Sequence, residues 1–356
     1  MRTFNLKALV SAIAFLCMIA CNEQELIEPI DPQASEEQAV MANARISSAS
    51  IGIVGSSADV NTSTSAGTVL MGGGPDIDEA IQWMINRSGG GDFVVLRASG
   101  SDAYNSYIYG LGNVNSVETL LINSRSLANN TDVENTIRNA EAVFIAGGDQ
   151  YDYVSYWKGT RVENALNYLI NTKRVPVGGT SAGCAIQGEA YFDAANGTVT
   201  SSEVLRNPYN QYVSLQRSNF LDVPFLENTI TDTHYDNPDR RGRQLGFMAR
   251  MVEDWGWFAK GIGVDEATAV CIASNGTASV YGDGYAFFLQ EYGGTPEECV
   301  PGRRLDWYRN RRAVKVYKVR GTNNGNNSFN LANWNSGSGG SWQYYYADRG
   351  RLRISY

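Results

Sequence analysis

The chain has 356 residues, of which 29 are Lys or Arg and 37 are Asp or Glu, so its net charge is −8. Apolar residues make up 43% and charged residues 19% of the sequence, which is typical of a globular protein and excludes a disordered or fibrous one. The acidic balance argues against a nucleic-acid partner, because binding to a phosphate backbone requires a basic face.

The first twenty residues have the pattern of an export signal. Arg2 and Lys7 precede an apolar run that ends at Ala20, and Cys21 follows it directly. A small residue before a Cys is typical of bacterial lipoprotein signals, in which the Cys is lipidated and becomes the mature N-terminus. We therefore expect an exported protein, periplasmic or at the cell surface, that is anchored to the membrane through Cys21. Cleavage elsewhere, with Cys21 incidental, is the alternative.

The segment after the signal is polar and acidic and has no periodicity, so residues 21–48 predict a flexible tether. Cleavage before Cys21 and its lipidation would leave Cys184, Cys271 and Cys299 in an exported chain. At most one disulfide can then form, and the sequence does not choose the pair. No Cys or His cluster indicates a metal site, and no cofactor is expected.

From about residue 49 to 290, short apolar runs alternate with helical patterns. Strands are predicted at 50–54, 68–71, 93–96, 119–122, 142–146, 175–178 and 223–230, and helices at 80–85, 131–139, 162–170 and 182–187. This rhythm predicts an α/β fold with a mainly parallel sheet flanked by helices. Functional sites on such sheets lie at the carboxyl ends of the strands.

The last part of the chain has a different pattern. Residues 267–290 alternate around glycine-containing turns, and later residues are rich in Gly, Asn, Trp and Tyr, which indicates a C-terminal antiparallel β extension. The predicted segments are a signal peptide (1–20), a tether (21–48), a catalytic domain (49–290) and the β extension (291–356).

Two glycine-rich turns follow predicted strands. Gly72-Gly73-Gly74 lacks the third glycine of a dinucleotide loop, and acidic residues follow it, so we interpret it as a tight turn at the functional edge of the sheet. Gly179-Thr180-Ser181-Ala182-Gly183 matches the GxSxG nucleophile elbow, with a strand before it and a helical pattern after it. Ser181 is the candidate nucleophile, and backbone N–H groups at the helix start, including that of Ala182, could bind an oxyanion.

A serine nucleophile requires a base, and His234 is the one histidine of the chain. It follows a predicted strand and lies downstream of Ser181, as the order Ser, acid, His requires. The acid between them is Glu203, Asp193 or Glu189, and we favour Glu203 because it follows a short β-like run. Asp232 is too close in sequence to His234 for this role, and a substrate-binding or supporting role fits it better.

Four motifs, in this order, resemble cyanophycinase. They are Gly-Gly-Asp-Gln at 147–150, the elbow at 179–183, Asp-Thr-His-Tyr at 232–235 followed by Arg-Gly-Arg at 241–243, and the Gly-rich run with Asp-Glu at 261–269. Cyanophycinase belongs to a serine peptidase family that also holds the aspartyl dipeptidase called dipeptidase E. The resemblance covers roughly residues 50–290. It implies a fold like that of class I glutamine amidotransferases, which is flavodoxin-like, with Ser in place of Cys at the elbow.

The resemblance also implies roles for individual residues. Gly148 matches an oxyanion N–H donor and Gln150 a substrate contact. Arg241 and Arg243 lie in a basic cluster, and since arginine forks bind carboxylates and the family's substrates are aspartate-rich, we expect one of them to bind a substrate carboxylate. We interpret Asp265-Glu266 as a structural corner.

The expected function is therefore that of a serine peptidase on aspartyl or isoaspartyl peptides or cyanophycin-like substrates, acting through an acyl-enzyme. A non-catalytic surface lipoprotein, or an esterase or amidase, are the alternatives. The expected partners are a carboxylate-bearing peptide and a membrane, and a homodimer is compatible with the sequence.

Overall fold

The computed structural model of the chain describes residues 47–356, so the predicted signal, Cys21 and nearly all of the tether lie outside the described residues. The strands are β1 (Ser50–Gly55), β2 (Gly67–Met71), β3 (Asp92–Arg97), β4 (Ser116–Leu121), β5 (Ala142–Ile145), β6 (Pro176–Thr180), β7 (Ala190–Phe192), β8 (Leu215–Arg217), β9 (Thr229–Asp232), β10 (Lys260–Val264), β11 (Thr268–Ala273), β12 (Thr277–Gly282), β13 (Tyr285–Glu291), β14 (Val314–Arg320), β15 (Asn327–Asn330), β16 (Gly337–Ser338), β17 (Gly340–Asp348) and β18 (Arg351–Ser355).

The α-helices of the described residues are short or of medium length. They are α1 (Asp78–Ser88), α2 (Ala103–Leu111), α3 (Arg125–Ala128), α4 (Thr131–Asn139), α5 (Gln150–Trp157), α6 (Arg161–Tyr168), α7 (Ala182–Ala185), α8 (Ser201–Arg206) and α9 (Arg241–Trp255). Within residues 47–356, no helix is both long and apolar enough to span a bilayer.

The first sheet has ten strands in the order β1-β4-β3-β5-β6-β2-β11-β12-β15-β16. The block β4-β3-β5-β6-β2 is parallel, and the pairs outside it are antiparallel. The α/β fold is confirmed and the parallel block matches the predicted sheet, but the sheet as a whole is mixed, because β1 and the strands from β11 onward pair antiparallel. The carboxyl ends of the parallel block nevertheless meet at one edge, as predicted for the site.

The second sheet has the order β18-β17-β14-β13-β10-β9-β7-β8. Strands β7, β9 and β10 are parallel neighbours, and the remaining pairs are antiparallel. The predicted β extension therefore adds β14, β17 and β18 to this sheet and β15 and β16 to the first one.

Local sequence explains most element boundaries. Helix α1 buries the apolar side chains Ala80, Ile81, Met84 and Ile85 and ends at Gly89, whose φ of 65° closes the helix. The strand predicted at 223–230 is shorter than expected. Asn228 has a φ of 55°, and the chain turns twice before β9 begins. Three apolar clusters fill the space between sheets and helices, and Cys184, Cys271 and Cys299 are buried free thiols.

Candidate active site

Three polar side chains meet where parallel strands end. Ser181 follows β6, His234 follows β9, and Glu266 follows β10. The Ser181 Oγ lies 2.8 Å from Nε2 of His234, and the opposite ring nitrogen, Nδ1, lies 2.6 Å from Oε1 of Glu266. This is the relay of nucleophile, base and acid that general-base activation of a serine requires.

The elbow holds Ser181 in a strained backbone conformation, with φ 51° and ψ −115°. Its backbone N–H donates to the carbonyl of Met71 in β2 over 3.1 Å. Glycine is required at position 183, because a Cβ there would lie 2.1 Å from the carbonyl oxygen of Ile145 in β5. The close approach of α7 to β5 therefore turns the serine side chain out of the sheet edge.

The glycine turn after β2 holds His234 in place. The backbone N–H of His234 donates to the carbonyl of Gly72 over 2.7 Å, and His234 itself has a positive φ of 48°. A Cβ at Gly73 would lie 2.4 Å from Nε2 of His234. The glycine turn 72–74, which we predicted at the functional edge of the sheet, therefore packs against the imidazole of His234.

The acid is not the one expected from the sequence. Glu203 is exposed and forms the capping box of α8, where its Oε2 accepts hydrogen bonds from the backbone N–H and hydroxyl of Thr200. These hydrogen bonds lower the pKa of Glu203. Its expected contact with His234 is wrong, because the order Ser, acid, His was taken from another fold. Here β9 and β10 are adjacent parallel strands, which places Glu266 after the histidine.

The two alternative acids are also engaged elsewhere. Asp193 accepts from Gln216 Nε2 over 3.0 Å, and Glu189 accepts from the hydroxyl of Ser218 over 2.6 Å. Neither carboxylate contacts His234 in the part of the chain that the structure describes.

Glu266 is supported by two neighbouring carboxylates. Its backbone N–H donates to Asp236 Oδ1 over 3.0 Å. Asp265 is buried and accepts from the backbone N–H of Tyr285, while burial and then the charge of Asp236 raise its pKa to about 6. Asp265 thus forms the structural corner that we expected, but Glu266 points to the histidine. Glu266 lies two residues after the end of β10, at the same sheet edge as His234, and this position in the sequence could have indicated its role.

Two backbone segments flank Ser181. Ala182 begins α7 directly after Ser181, and a Cβ at Gly147 would lie 3.5 Å from the Ser181 Cβ, which places the 147–148 turn against the elbow. The hydroxyl of Tyr153 is shared between the carbonyls of Ala146 and Gly147, at oxygen separations of 2.8 and 3.1 Å, and so fixes this turn. Among hydrogen bonds of residues 47–356, none uses the N–H of Gly148 or Ala182 as donor. Both remain available for an oxyanion.

Residues 64–280 match the sequence profile of peptidase family S51. The chain belongs to this family. It is 27% identical over 168 residues to cyanophycinase of Nostoc sp. (strain PCC 7120), which is 47% of this chain and 51% of that protein, and 26% identical over 171 residues to cyanophycinase of Synechococcus elongatus. The chain thus spans about half the length of the curated relatives it matches. A crystal structure of a peptidase from an acI-B1 Actinobacterium is 16% identical, with a TM-score of 0.46 over 64% of this chain and 91% of that one.

The basic cluster of this S51 family member is mostly engaged within the protein. Arg243 and Asp232 are 4% and 3% exposed and form a two-pronged ion pair, with N–O distances of 2.8 and 2.5 Å. Burial and mutual pairing satisfy both groups, which fits the supporting role that was the alternative for Asp232 and argues against Arg243 as the arginine that binds a substrate carboxylate. Arg241 is half-buried and pairs with Asp239 over 2.5 Å.

The side chains of Gln150, the expected substrate contact, and of Arg240 have hydrogen bonds only to backbone carbonyls in the part of the chain that the structure describes. Gln150, the first residue of α5, is half-buried and lies 3.4 Å from the Phe192 carbonyl. Arg240 belongs to the same basic cluster of the sequence as Arg241 and Arg243, but no substrate role was expected for it. It donates to the carbonyl of Thr233 over 3.0 Å, and its pKa is lowered by burial and by the charge of Arg243, while Glu266 acts in the opposite direction.

An acidic cavity of about 360 Å³ lies beyond the glycine turn. The hydroxyl of Tyr104 donates to Asp76 over 2.7 Å, and that of Tyr107 donates to Asp78 over 2.6 Å. Burial raises the pKa of Asp76, whose side chain adjoins Thr180, the residue before the nucleophile. The carboxylates of this cavity favour a hydrogen-bond donor or cation, whereas the guanidinium of Arg240 favours an anion. Within residues 47–356, no group of three or more His, Cys, Asp or Glu residues could hold a metal.

Replacing Gly73 by Ala is expected to lower kcat on the order of 10²-fold, since the added methyl group must displace the His234 imidazole from Ser181. Gly294→Ala is the matched control: its φ of 88° is close to the 94° of Gly73, so the backbone strain is similar, but a Cβ there meets nothing within 4 Å. Steady-state kinetics and thermal unfolding of both variants separate misplacement from instability. Equal activity losses in the two variants would contradict the proposed contact.

Replacing Arg243 by Met is expected to lower the free energy of unfolding by about 3–5 kcal/mol, because it leaves the Asp232 carboxylate buried and unpaired. Urea unfolding at neutral pH measures this loss, and the double variant with Asp232→Leu should recover much of it. A variant that keeps its stability and only raises KM for acidic substrates would restore Arg243 to a substrate-binding role.

Proposed function

We propose that the protein is a serine peptidase that cleaves aspartyl-containing peptides through an acyl-enzyme. The single observation that carries the proposal is the hydrogen-bonded chain from Ser181 through His234 to Glu266. Membership of peptidase family S51 supports the same reaction class. The curated relatives are cyanophycinases, which points to substrates rich in aspartyl units.

In this mechanism the Ser181 hydroxyl attacks the scissile carbonyl carbon while His234 Nε2 takes its proton. Glu266 accepts a hydrogen bond from Nδ1 and stabilises the imidazolium that forms. The N–H groups of Gly148 and Ala182 bind the oxyanion. His234 then protonates the leaving amine, and in the second half it removes a proton from the water that hydrolyses the acyl-enzyme.

The charges beside this centre favour a substrate of mixed charge. Arg240 and, after release from Asp239, Arg241 can bind a substrate carboxylate, and arginine forks suit that group. Asp76 and Asp78 at the cavity favour a donor or cation on the other side. An aspartyl residue next to a basic or hydrogen-bonding residue satisfies both sides.

A fluorophosphonate probe and a substrate panel test the proposal. The folded protein should be labelled at Ser181 and should cleave α- or β-aspartyl peptides in preference to neutral peptides and simple esters. A protein that is folded but unlabelled, and inactive on peptides, esters and cyanophycin, would overturn the proposal in favour of a binding lipoprotein. Faster cleavage of esters than of any peptide would instead indicate an esterase.

We also propose that the protein is exported and anchored through lipid on Cys21, on the sequence pattern of residues 1–21. Mass spectrometry of the mature N-terminus from the native host tests this. An unmodified N-terminus at another residue would contradict it.

A further inference from the structure

Charge is distributed unevenly along the chain. Residues 49–290 contain 15 basic and 26 acidic side chains, whereas residues 291–356 contain 11 basic and 5 acidic ones. The β extension thus carries an excess of six positive charges beside a strongly acidic body. Such separation creates a surface that attracts anions, while the body repels them.

Several of these cations lie on one face of the second sheet. Side chains alternate between the two faces of a strand, so Trp342, Tyr344 and Tyr346 of β17 share a face, and their pairing in register places Lys315 and Arg353 beside them. We call these residues, with Arg312, the basic–aromatic face. The aromatic ring of Phe329 in β15 packs against Trp342, with 6.0 Å between ring centroids. Tyr344 and Tyr346 lie beyond it and are half-exposed.

Two of the three cations of this face lie over aromatic rings, and none of the three forms an ion pair with a carboxylate among residues 47–356. Lys315 Nζ lies 3.9 Å from the ring centroid of Trp342, and the Arg312 guanidinium carbon lies 5.1 Å from that of Tyr344. Arg353 is exposed. In the described chain, the ion pairs of the extension use other arginines: Arg303, Arg309 and Arg349. Aromatic faces orient a cation without neutralising it, so these three charges stay available to an anionic ligand.

We propose that the basic–aromatic face is a docking site for the acidic stretches of a long, aspartate-rich polypeptide substrate. The inference rests on the proposed function, and it explains how an acidic body can recruit an acidic polymer. Among anionic polymers we choose a polypeptide, because the cluster of Ser181, His234 and Glu266 on the same chain is suited to acyl transfer from peptides. Carboxylate side chains also fit the forks of Arg312 and Arg353.

The sheet sets the length of substrate that can use both sites. Strands β17, β14, β13 and β10 are successive neighbours in the second sheet. A line across them joins Tyr344, Lys315, Gln290 and finally Lys260, which is the first residue of β10. Glu266 lies beyond the other end of β10, so strand spacing and rise per residue separate it from Tyr344 by about 25 Å. An extended peptide must therefore have about eight residues or more to reach from the basic–aromatic face to Ser181. Shorter substrates cannot contact both sites at once, so the basic–aromatic face does not increase their rate of cleavage.

Binding is tested on the full chain with Ser181→Ala, so that no cleavage occurs, using fluorescently labelled poly-aspartate. Replacing Arg312, Lys315 and Arg353 by Gln together should weaken binding about tenfold, and added salt should weaken the binding of the parent. The matched control replaces Arg138, Lys158 and Arg174 by Gln, which removes the same residue types from the body and should leave affinity within about twofold. Equal losses in both variants would overturn the proposal.

Cleavage gives the second test. With Ser181 intact, the Arg312, Lys315 and Arg353 variant should keep its kcat/KM for an aspartyl peptide of about four residues and lose about tenfold for one of about thirty. Parallel losses at both lengths would overturn the docking site. If no peptide is cleaved but poly-aspartate binding still depends on the face, the proposed function fails and the docking site stands. Equal or tighter binding of alginate or single-stranded DNA would overturn the assignment to a polypeptide.

Discussion

Replacing Ser181 by Ala is expected to lower kcat on the order of 10⁴-fold or more, with the fold unchanged. The alanine keeps the elbow's small side chain but removes the oxygen that lies 2.8 Å from His234 Nε2, so no acyl-enzyme can form. Residual turnover would come only from the oxyanion donors and substrate positioning. The measurement is kcat on the fastest substrate of the panel, together with loss of fluorophosphonate labelling.

Ser126→Ala is the control for this variant, because Ser126 is an exposed helical serine far along the chain from the elbow. It should be fully active and fully labelled. Normal turnover by Ser181→Ala would exclude Ser181 as nucleophile, and with it the proposed acyl-enzyme.

Replacing Glu266 by Gln is expected to lower kcat about 10³-fold, while KM changes little. The amide is nearly the same size, but it cannot stabilise the imidazolium that forms when His234 takes the serine proton, and it can hold the wrong histidine tautomer. Kinetics at several pH values should show the loss throughout the range in which the parent enzyme is active.

The same substitution at Glu203 is the matched control. Glu203→Gln should leave kcat within about twofold, because its carboxylate caps α8 and does not contact His234. The opposite ranking of the two variants would restore the acid expected from the sequence and exclude Glu266.

Local sequence was sufficient to predict the candidate nucleophile and its surroundings. The elbow depends on neighbouring residues, since Gly183 and the strained Ser181 are set by a strand, a turn and a helix that are consecutive in the chain. The turn after β2 could likewise be placed at the functional edge, because successive βα units bring their carboxyl ends together. His234 could be predicted as the candidate base because the chain has no other histidine.

The acid and the roles of the charged residues required the tertiary structure. Glu266 reaches His234 only because β9 and β10 pair in parallel, with Asp232 opposite Gly263, and this pairing leaves no local signal in the sequence. Arg243 and Arg241 are two residues apart on α9, yet one is buried against Asp232 and the other faces Asp239, since rotation around the helix decides which side chain meets the core. The sequence by itself therefore determined the elbow around Ser181, which consecutive residues form. Strand register and helix orientation, which depend on the tertiary structure, decided that Glu266 contacts His234 and that Arg243 pairs with Asp232.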